Sequence, residues 1–225
     1  MRGWVIPSKQ NTDFVPNMER VLDIYKRPFN AKCPVVCMDE SPKQLISTKR
    51  AAIPMRPGQA LKVDCEYIRK GVVNIFIANE PLAGKRYLQV TKTKNKQDWA
   101  HFIKRICDEF YPNSEKITLV MDNLNTHKPS SLYETFLPQE AKRIWDRFEF
   151  IYTPKHGSWL NMAEIELHVL NGQCLNRHID SLEEIKKEAQ AWENHRNNRD
   201  TKIIWRFTNQ QARIKLKKLY PSIQS

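Results

Sequence analysis

Residues 33–40 read CPVVCMDE, and residues 116–123 read KITLVMDN. Each stretch is a short apolar run, typical of a buried strand, that closes on an aspartate: Asp39 in the first and Asp122 in the second. If the two strands are neighbours in a sheet, both carboxylates emerge at one edge, where ligand and metal sites of open α/β sheets gather. Two close carboxylates repel each other, and a divalent cation relieves the repulsion. The alternative, that each aspartate only begins a turn, stays open at this point.

The apolar pattern around these two stretches predicts an α/β fold. Extended runs are predicted at 33–39, 62–68, 72–79, 86–92, 116–122 and 148–153, with a turn at 69–71 that joins the second and third as a hairpin. Helices are predicted at 14–27, 99–110, 158–171, 181–196 and 208–219, with short helices inside 129–145. An early hairpin followed by alternating helices and strands predicts a mixed five-stranded sheet with helices on both faces, whose last two strands run parallel to the first.

The charge of the chain narrows the class of partner. Among 225 residues, 37 Lys and Arg stand against 25 Asp and Glu, which gives a formal net charge of +12. The hydrophobic content of 40% excludes a wholly disordered chain. No apolar run approaches the roughly 18–20 residues of a membrane span, and no signal-peptide pattern is present, so we expect a cytoplasmic protein with no membrane partner. The positive charge favours a polyanion, and nucleic acid is the first candidate.

Basic residues are concentrated in two places. One is an alternating series at 92–96, and the other is the stretch 201–225, which has six basic residues and no acidic one. The candidate DNA contacts are Lys92, Lys94, Lys96, Lys155, Arg213, Lys215, Lys217 and Lys218. A solvated face is the alternative for such charge runs, and the sequence alone does not decide between the two.

A third acidic residue is available on the helix predicted after the last strand. Glu164 and Glu166 are offset by about 200° on a helix, so only one of them can face the two aspartates, and periodicity does not choose between them. His127, five residues after the second aspartate, is placed to hydrogen-bond a ligand carboxylate, or else is a turn histidine bonded to backbone. Glu40 points to the opposite face of an extended chain from the first aspartate and carries little weight as a metal ligand.

Longer motifs in the chain resemble one protein family. They read CMDESPKQL, DCEYIRKGVVNIFIANEPL, VMDNLNTHKP, YTPKHGSWLNMAEIEL and FTNQQARIKLKKLYP, and they lie between residues 37 and 221. Together they resemble the bacterial insertion-sequence branch of the mariner transposase superfamily, the "six-thirty" insertion-sequence family, whose members are DDE endonucleases. The resemblance implies a ribonuclease H-like catalytic core, which agrees with the strand order predicted above.

The resemblance also implies an active site. Mapped on this chain, the family's Asp-Asp-Glu triad falls on Asp39, Asp122 and Glu164, because LNMAE matches the family signature Leu-Asn-x-x-Glu. The triad would bind two Mg²⁺ ions, for which Mn²⁺ can substitute, and Asn123 and His127 would support these ligands. The implied activity is cleavage of DNA at transposon ends and strand transfer into target DNA, performed by a homodimer in the bacterial cytoplasm.

The expected domain organisation is a linker and lead-in helix at 1–30, the catalytic domain at 31–200 and a basic tail helix at 201–225. Full-length members of the family carry helix-turn-helix DNA-binding domains before the catalytic core, whereas this chain begins at the linker. A truncated element, or one frame of a split transposase, is therefore expected. Two other functions stay open: a DNA-binding remnant that does not transpose, and a ribonuclease H-like nuclease that acts on another nucleic acid.

Overall fold

Five strands form one mixed sheet at the centre of the protein. A computed structural model describes residues 12–62 and 64–221. The strands are β1 (Val35–Thr48), β2 (Tyr67–Glu80), β3 (Lys85–Thr91), β4 (Ile117–Met121) and β5 (Phe148–Tyr152). Their order across the sheet is β3-β2-β1-β4-β5. β2 pairs antiparallel with β1 and β3, whereas β4 lies parallel to β1 and β5. The prediction of a mixed five-stranded sheet whose last two strands run parallel to the first is confirmed.

Helices cover both faces of this sheet, as predicted. Within the described residues they are α1 (Phe14–Tyr25), α2 (Lys96–Arg105), α3 (Pro129–Tyr133), α4 (Pro138–Asp146), α5 (Ala163–Leu170), α6 (Leu182–Asn198) and α7 (Asn209–Lys215). Helices α2, α3 and α4 share one apolar core with Val36, Met38 and Leu119, and the other four share a second core with Cys37 and Val120. Because β1 and β4 are covered on both sides where they pair, their sequences there are continuous apolar runs.

The hairpin predicted to turn at 69–71 is not present, because the single strand β2 runs through these positions. Gly71 has a φ of +117° and pairs with Leu45, whereas the next residue, Ile46, pairs with Arg69. This shift of register leaves Lys70 as an extra residue, so the Arg-Lys-Gly signal marks a β-bulge. Glycine suits both a bulge and a turn because it adopts positive φ without strain, and the sequence alone therefore does not separate them.

Strand β1 continues well beyond the predicted strand at 33–39. It extends to Thr48 because β2 pairs with it along this whole second half. The two strands form a long hairpin, connected through residues 49–66, which makes the predicted strand at 62–68 wrong for most of its length. The exposed large apolar side chains of this hairpin are Ile53, Met55, Leu61, Tyr67, Ile68 and Val72. Asp39 is therefore not the last residue of its strand, but lies just beyond the pairing of β1 with β4.

The helix predicted at 158–171 is divided into two pieces. Ser158–Leu160 form a 3₁₀ turn, and α5 begins only at Ala163, with Met162 at the N-cap position. The α-helix therefore begins five residues after the predicted start at residue 158. The consequence for the site is that Glu164 lies in the first turn of α5.

The lead-in helix and the C-terminal tail pack together. α1 buries Phe14, Met18, Val21, Leu22 and Ile24 in the core. In α7, Asn209 and Arg213 bond to Asp23 and Glu19 of α1. In the described part of the tail, helical structure is limited to α7 and a short turn at Lys217–Leu219. Residues 1–11, which include most of the predicted linker, and residues 222–225 lie outside the described part. Along the described chain, no helix is long and apolar enough to cross a membrane.

Candidate active site

The parallel pairing of β1 with β4 brings the two predicted aspartates side by side. Cys37 is the last residue of β1 paired with β4, and its partner is Val120. Asp39 lies two residues after Cys37, and Asp122 lies two residues after Val120. Because side chains alternate along a strand, Asp39 shares the sheet face of Cys37, and Asp122, one residue past β4, continues the series of Val120. The neighbouring carboxylate of Asp122 is one cause of the raised pKa of Asp39.

Asp39 is a buried carboxylate among other acids. Its side chain accepts hydrogen bonds from the backbone N–H of Glu40 at 2.8 Å and from Asn161 Nδ2 at 3.3 Å. Burial, and to a lesser extent the negative charges of Glu164, Glu40 and Asp122, outweigh the effect of the Glu40 N–H and raise the pKa of Asp39 to about 7. A carboxylate desolvated in this way is stabilised by a cation beside it.

Asn161 joins the end of β1 to the beginning of α5. Its side chain is buried, and besides Asp39 it donates to the Met38 carbonyl at 2.8 Å. Its Oδ1 accepts from the Ala163 N–H at 3.1 Å, and its carbonyl oxygen accepts from the Glu164 N–H at 3.1 Å. In the sequence, the Leu-Asn-x-x-Glu signature that contains Asn161 is the signal for this role.

The two glutamates of α5 have different surroundings. Glu164 is exposed and lies close enough to Asp39 to act on its pKa. Glu166 is fully buried, and its Oε1 accepts from Arg86 Nη2 at 3.1 Å and from Arg196 Nη2 at 2.9 Å. Glu166 therefore neutralises two arginines inside the domain. Of the two, Glu164 is the one whose charge acts on Asp39.

His127 connects Asp122 with Glu40. Its Nδ1 lies 2.5 Å from Asp122 Oδ1, and its Nε2 lies 3.2 Å from Glu40 Oε2. The ring is buried and stacks on Trp99, with centroids 5.7 Å apart. Burial lowers the pKa of His127, but the hydrogen bonds with Asp122 and Glu40 outweigh it and raise the pKa to about 9. His127 is therefore an imidazolium at neutral pH, with both nitrogens as donors.

Glu40 contacts a residue of the site, although its position in the sequence does not indicate such a contact. It does point away from Asp39, as expected, but it is buried on the other face of the sheet. Burial raises the pKa of Glu40, and its pairs with His127 and Lys94 lower it below the usual value overall. Lys94 Nζ lies 2.7 Å from Glu40 Oε1. Nothing in the local sequence pattern indicates that Glu40 meets a histidine 87 positions later.

Several of the predicted DNA contacts have partners inside the domain. β3 ends at Thr91, so the alternating lysine series does not continue a strand but crosses a loop into α2. Lys96 pairs with Glu134 at 2.7 Å, and Arg213 pairs with Glu19 at 2.9 Å. The predicted contacts that are exposed and form no ion pair with another described residue are Lys92, Lys155, Lys215, Lys217 and Lys218, and Asn123 is exposed next to Asp122.

The donor set at this sheet edge suits a hard cation. Asp39, Asp122 and Glu164 offer carboxylate oxygens, which are the ligands that Mg²⁺ prefers. In the described residues as they stand, no three His, Cys, Asp or Glu side chains are close enough together to hold a metal ion. The carboxylate donors, and the negative charges that act on Asp39, fit a divalent cation. The described side chains alone do not complete a coordination shell around such an ion.

Comparison with known proteins identifies the class of protein. The sequence profile of the DDE superfamily endonucleases matches residues 34–186, which is more than half of the chain. The chain therefore belongs to the DDE superfamily endonuclease family. No curated protein sequence matches it.

Solved structures of the Mos1 mariner transposase share the fold. The paired-end complex with Mg has a TM-score of 0.59 and 17% identity, covering 99% of this chain and 67% of that one. The paired-end complex with Mn has a TM-score of 0.58 and 17% identity, and this chain spans 89% of its own length and 62% of the Mos1 chain. The isolated Mos1 catalytic domain has a TM-score of 0.53 and 14% identity, covering 88% and 96%. The predicted ribonuclease H-like fold is thus confirmed.

Proposed function

We propose that this chain is the catalytic domain of a DDE transposase, which cuts DNA at transposon ends and joins those ends to target DNA. The observation that carries the proposal is that Asp39 and Asp122 each lie two residues past a paired position of two parallel strands, and that the charges of Asp122 and of Glu164, on the first turn of α5, act on Asp39. Family membership supplies the endonuclease class, and the Mos1 structures supply the comparison with a transposase.

Asp39, Asp122 and Glu164 are the residues that would hold two Mg²⁺ ions, or Mn²⁺ in their place. When bound, such ions activate water or a 3′-hydroxyl and neutralise the charge that develops at the scissile phosphate. Asn161 orients Asp39 by bonding to its carboxylate, and His127 holds one oxygen of Asp122. The structures of the Mos1 complexes with Mg and with Mn support this choice of metals.

DNA is the proposed partner, because the net charge is +12 and exposed lysines remain outside the internal ion pairs. A homodimer is proposed for the active complex. Several of the Mos1 structures are paired-end complexes, which supports an assembly that holds two transposon ends together. An origin in a bacterial insertion sequence, a cytoplasmic location and an upstream helix-turn-helix region stay predictions of the sequence resemblance.

Metal-dependent nicking of DNA by the purified chain tests the proposal. The wild-type protein should nick supercoiled DNA with Mg²⁺ and stop when the metal is chelated. Asp39→Asn and Asp122→Asn should lower nicking to background and keep the circular dichroism spectrum. Asp146→Asn is the matched control, because Asp146 is exposed at the end of α4 and its carboxylate pairs with Lys142 of the same helix. Nicking by either active-site variant at the wild-type rate contradicts the assignment.

The same assay separates the two other functions. A chain that binds DNA but never nicks it, with any divalent metal, is the binding remnant. A chain that prefers RNA–DNA hybrids or branched junctions over duplex DNA in a substrate panel is a nuclease of another kind. Either result contradicts the transposase proposal.

A further inference from the structure

We propose that Glu40 is a positioning residue for the reaction proposed above: it holds His127 against Asp122 and thereby fixes the orientation of the Asp122 carboxylate. The inference rests on the proposed function, since it assigns to Asp122 the role of metal ligand. Glu40 itself is not a ligand, because it faces the opposite side of β1 from Asp39.

Four side chains form a continuous series from the protein surface to the sheet edge. Lys94, with 37% of its side chain exposed, contacts Glu40 Oε1 at 2.7 Å. Glu40 Oε2 contacts His127 Nε2 at 3.2 Å, and His127 Nδ1 contacts Asp122 Oδ1 at 2.5 Å. The side chains of Glu40 and His127 are each 1% exposed. The contacts between Lys94 and Asp122 therefore pass through two buried side chains, Glu40 and His127.

The arrangement leaves His127 with a single orientation. One nitrogen faces Asp122 and the other faces Glu40, while Trp99 stacks on the ring and limits its tilt. Because His127 contacts Oδ1 of Asp122, the second oxygen, Oδ2, is the one that we assign to the metal. Without Glu40 the ring loses its anchor at Nε2, and Asp122 is free to rotate.

Packing alone does not explain why a carboxylate is buried at position 40. A carboxylate buried next to Asp39 in the sequence adds to the repulsion at the site, as its effect on Asp39 shows. Buried ion pairs are often no more stabilising than apolar side chains of the same size, so a hydrophobic residue would fill this position equally well. Groups that orient a ligand side chain without touching the metal typically contribute about 10–100-fold in metal affinity or activity.

The first test compares Glu40→Gln with a matched control. Glu40→Gln keeps the shape of the side chain but loses the charge that anchors His127. The control is Glu134→Gln, because Glu134 likewise pairs with a lysine of the same segment, Lys96, but has no contact with His127. We expect Mn²⁺ affinity of the DNA-free protein, measured by electron paramagnetic resonance, to fall at least about tenfold in Glu40→Gln and to stay within about twofold in Glu134→Gln.

The second test asks whether Glu40 acts through His127. In a double-mutant cycle, Glu40→Gln should change the Mn²⁺ affinity at least about tenfold in the wild-type background and less than about twofold in the His127→Asn background. The Mg²⁺ concentration for half-maximal nicking should follow the same pattern. The same loss in both backgrounds, or a lower melting temperature with unchanged metal affinity, would show that Glu40 is only structural. If Glu40→Gln does not fold, Glu40→Asp, which keeps the charge but is too short to reach His127, replaces it with the same expectation.

The outcomes separate this inference from the proposed function. Wild-type protein that binds Mn²⁺ but nicks no DNA contradicts the proposed function, while the affinities still decide the role of Glu40. Wild-type nicking together with equal Mn²⁺ affinity of Glu40→Gln and Glu134→Gln contradicts the role of Glu40 alone. Wild-type protein that binds no Mn²⁺ contradicts both.

Discussion

Glu164 and Glu166 show how strongly the surroundings of one residue decide its role. They are separated by one residue on α5, yet Glu164 is exposed beside the aspartates and Glu166 is fully buried. Arg86 is 1% exposed, and besides Glu166 it donates to the backbone carbonyls of Gly84 and Thr201. Glu166 thus joins α5 to β3 through Arg86 and to α6 through Arg196. The contacts of Glu166 are structural, whereas Glu164 is the residue that we propose for the chemistry.

The two glutamates therefore predict opposite phenotypes. Glu166→Gln leaves Arg86 and Arg196 without their counter-charge, so the free energy of unfolding should fall by about 3–5 kcal/mol. Glu164→Gln, at an exposed site, should stay within about 0.5 kcal/mol of wild type and lose nicking. Urea unfolding monitored by circular dichroism, together with the nicking assay, checks both. Equal stability of the two variants would contradict this assignment of roles.

The site could be predicted from the sequence only where the pattern is local. Asp39 and Asp122 were accessible because each closes an apolar run, and Glu164 was accessible through a family signature rather than through helical periodicity. The contact of Glu40 with His127 depends on how a loop after β4 returns to the sheet, and the local sequence does not indicate that path.

At the scale of elements, strands covered on both faces were predictable and the exposed hairpin was not. β4 and β5 lie within two residues of their predicted bounds, because burial on both faces forces apolar runs. The second half of β1 reads ESPKQLIST, which has neither an apolar run nor clear alternation, because it pairs with β2 beyond the covered part of the sheet. Its strand structure comes from pairing, which is a tertiary property.

The bulge at Gly71 makes a prediction at this scale. A side chain at a φ of +117° is strained even though no atom lies within 4 Å of the position that a Cβ would take, so Gly71→Ala should lower the free energy of unfolding by about 1–3 kcal/mol. Gly172→Ala is the control, since Gly172 also has open space around it and lies in a helical turn, where alanine is favoured by roughly 0.5–1 kcal/mol. Thermal unfolding of both variants decides the matter, and a Gly71→Ala protein as stable as the control would argue against the bulge.

At the scale of the whole molecule, the net charge of +12 predicts DNA binding that is mostly electrostatic. Each neutralised phosphate contributes about −0.9 to the slope of log affinity against log salt, so contacts by the five exposed lysines named above give a slope of roughly −4.5. Fluorescence anisotropy with a duplex across a salt series measures it. Lys217→Gln combined with Lys218→Gln should make the slope less steep by about 2. Tight binding to one short sequence that persists at high salt would contradict this prediction.

The function of the whole molecule depends on whether Asp39, Asp122 and Glu164 together hold divalent metal at one edge of the sheet. Anomalous diffraction from crystals of the protein soaked in Mn²⁺ answers this question, because it locates the metal independently of activity. We predict an anomalous peak within bonding distance of Asp39 and Asp122, with the Glu164 carboxylate turned toward it and Glu166 still paired with Arg86. A peak bound elsewhere, or none at this edge in saturating Mn²⁺, would contradict the assignment.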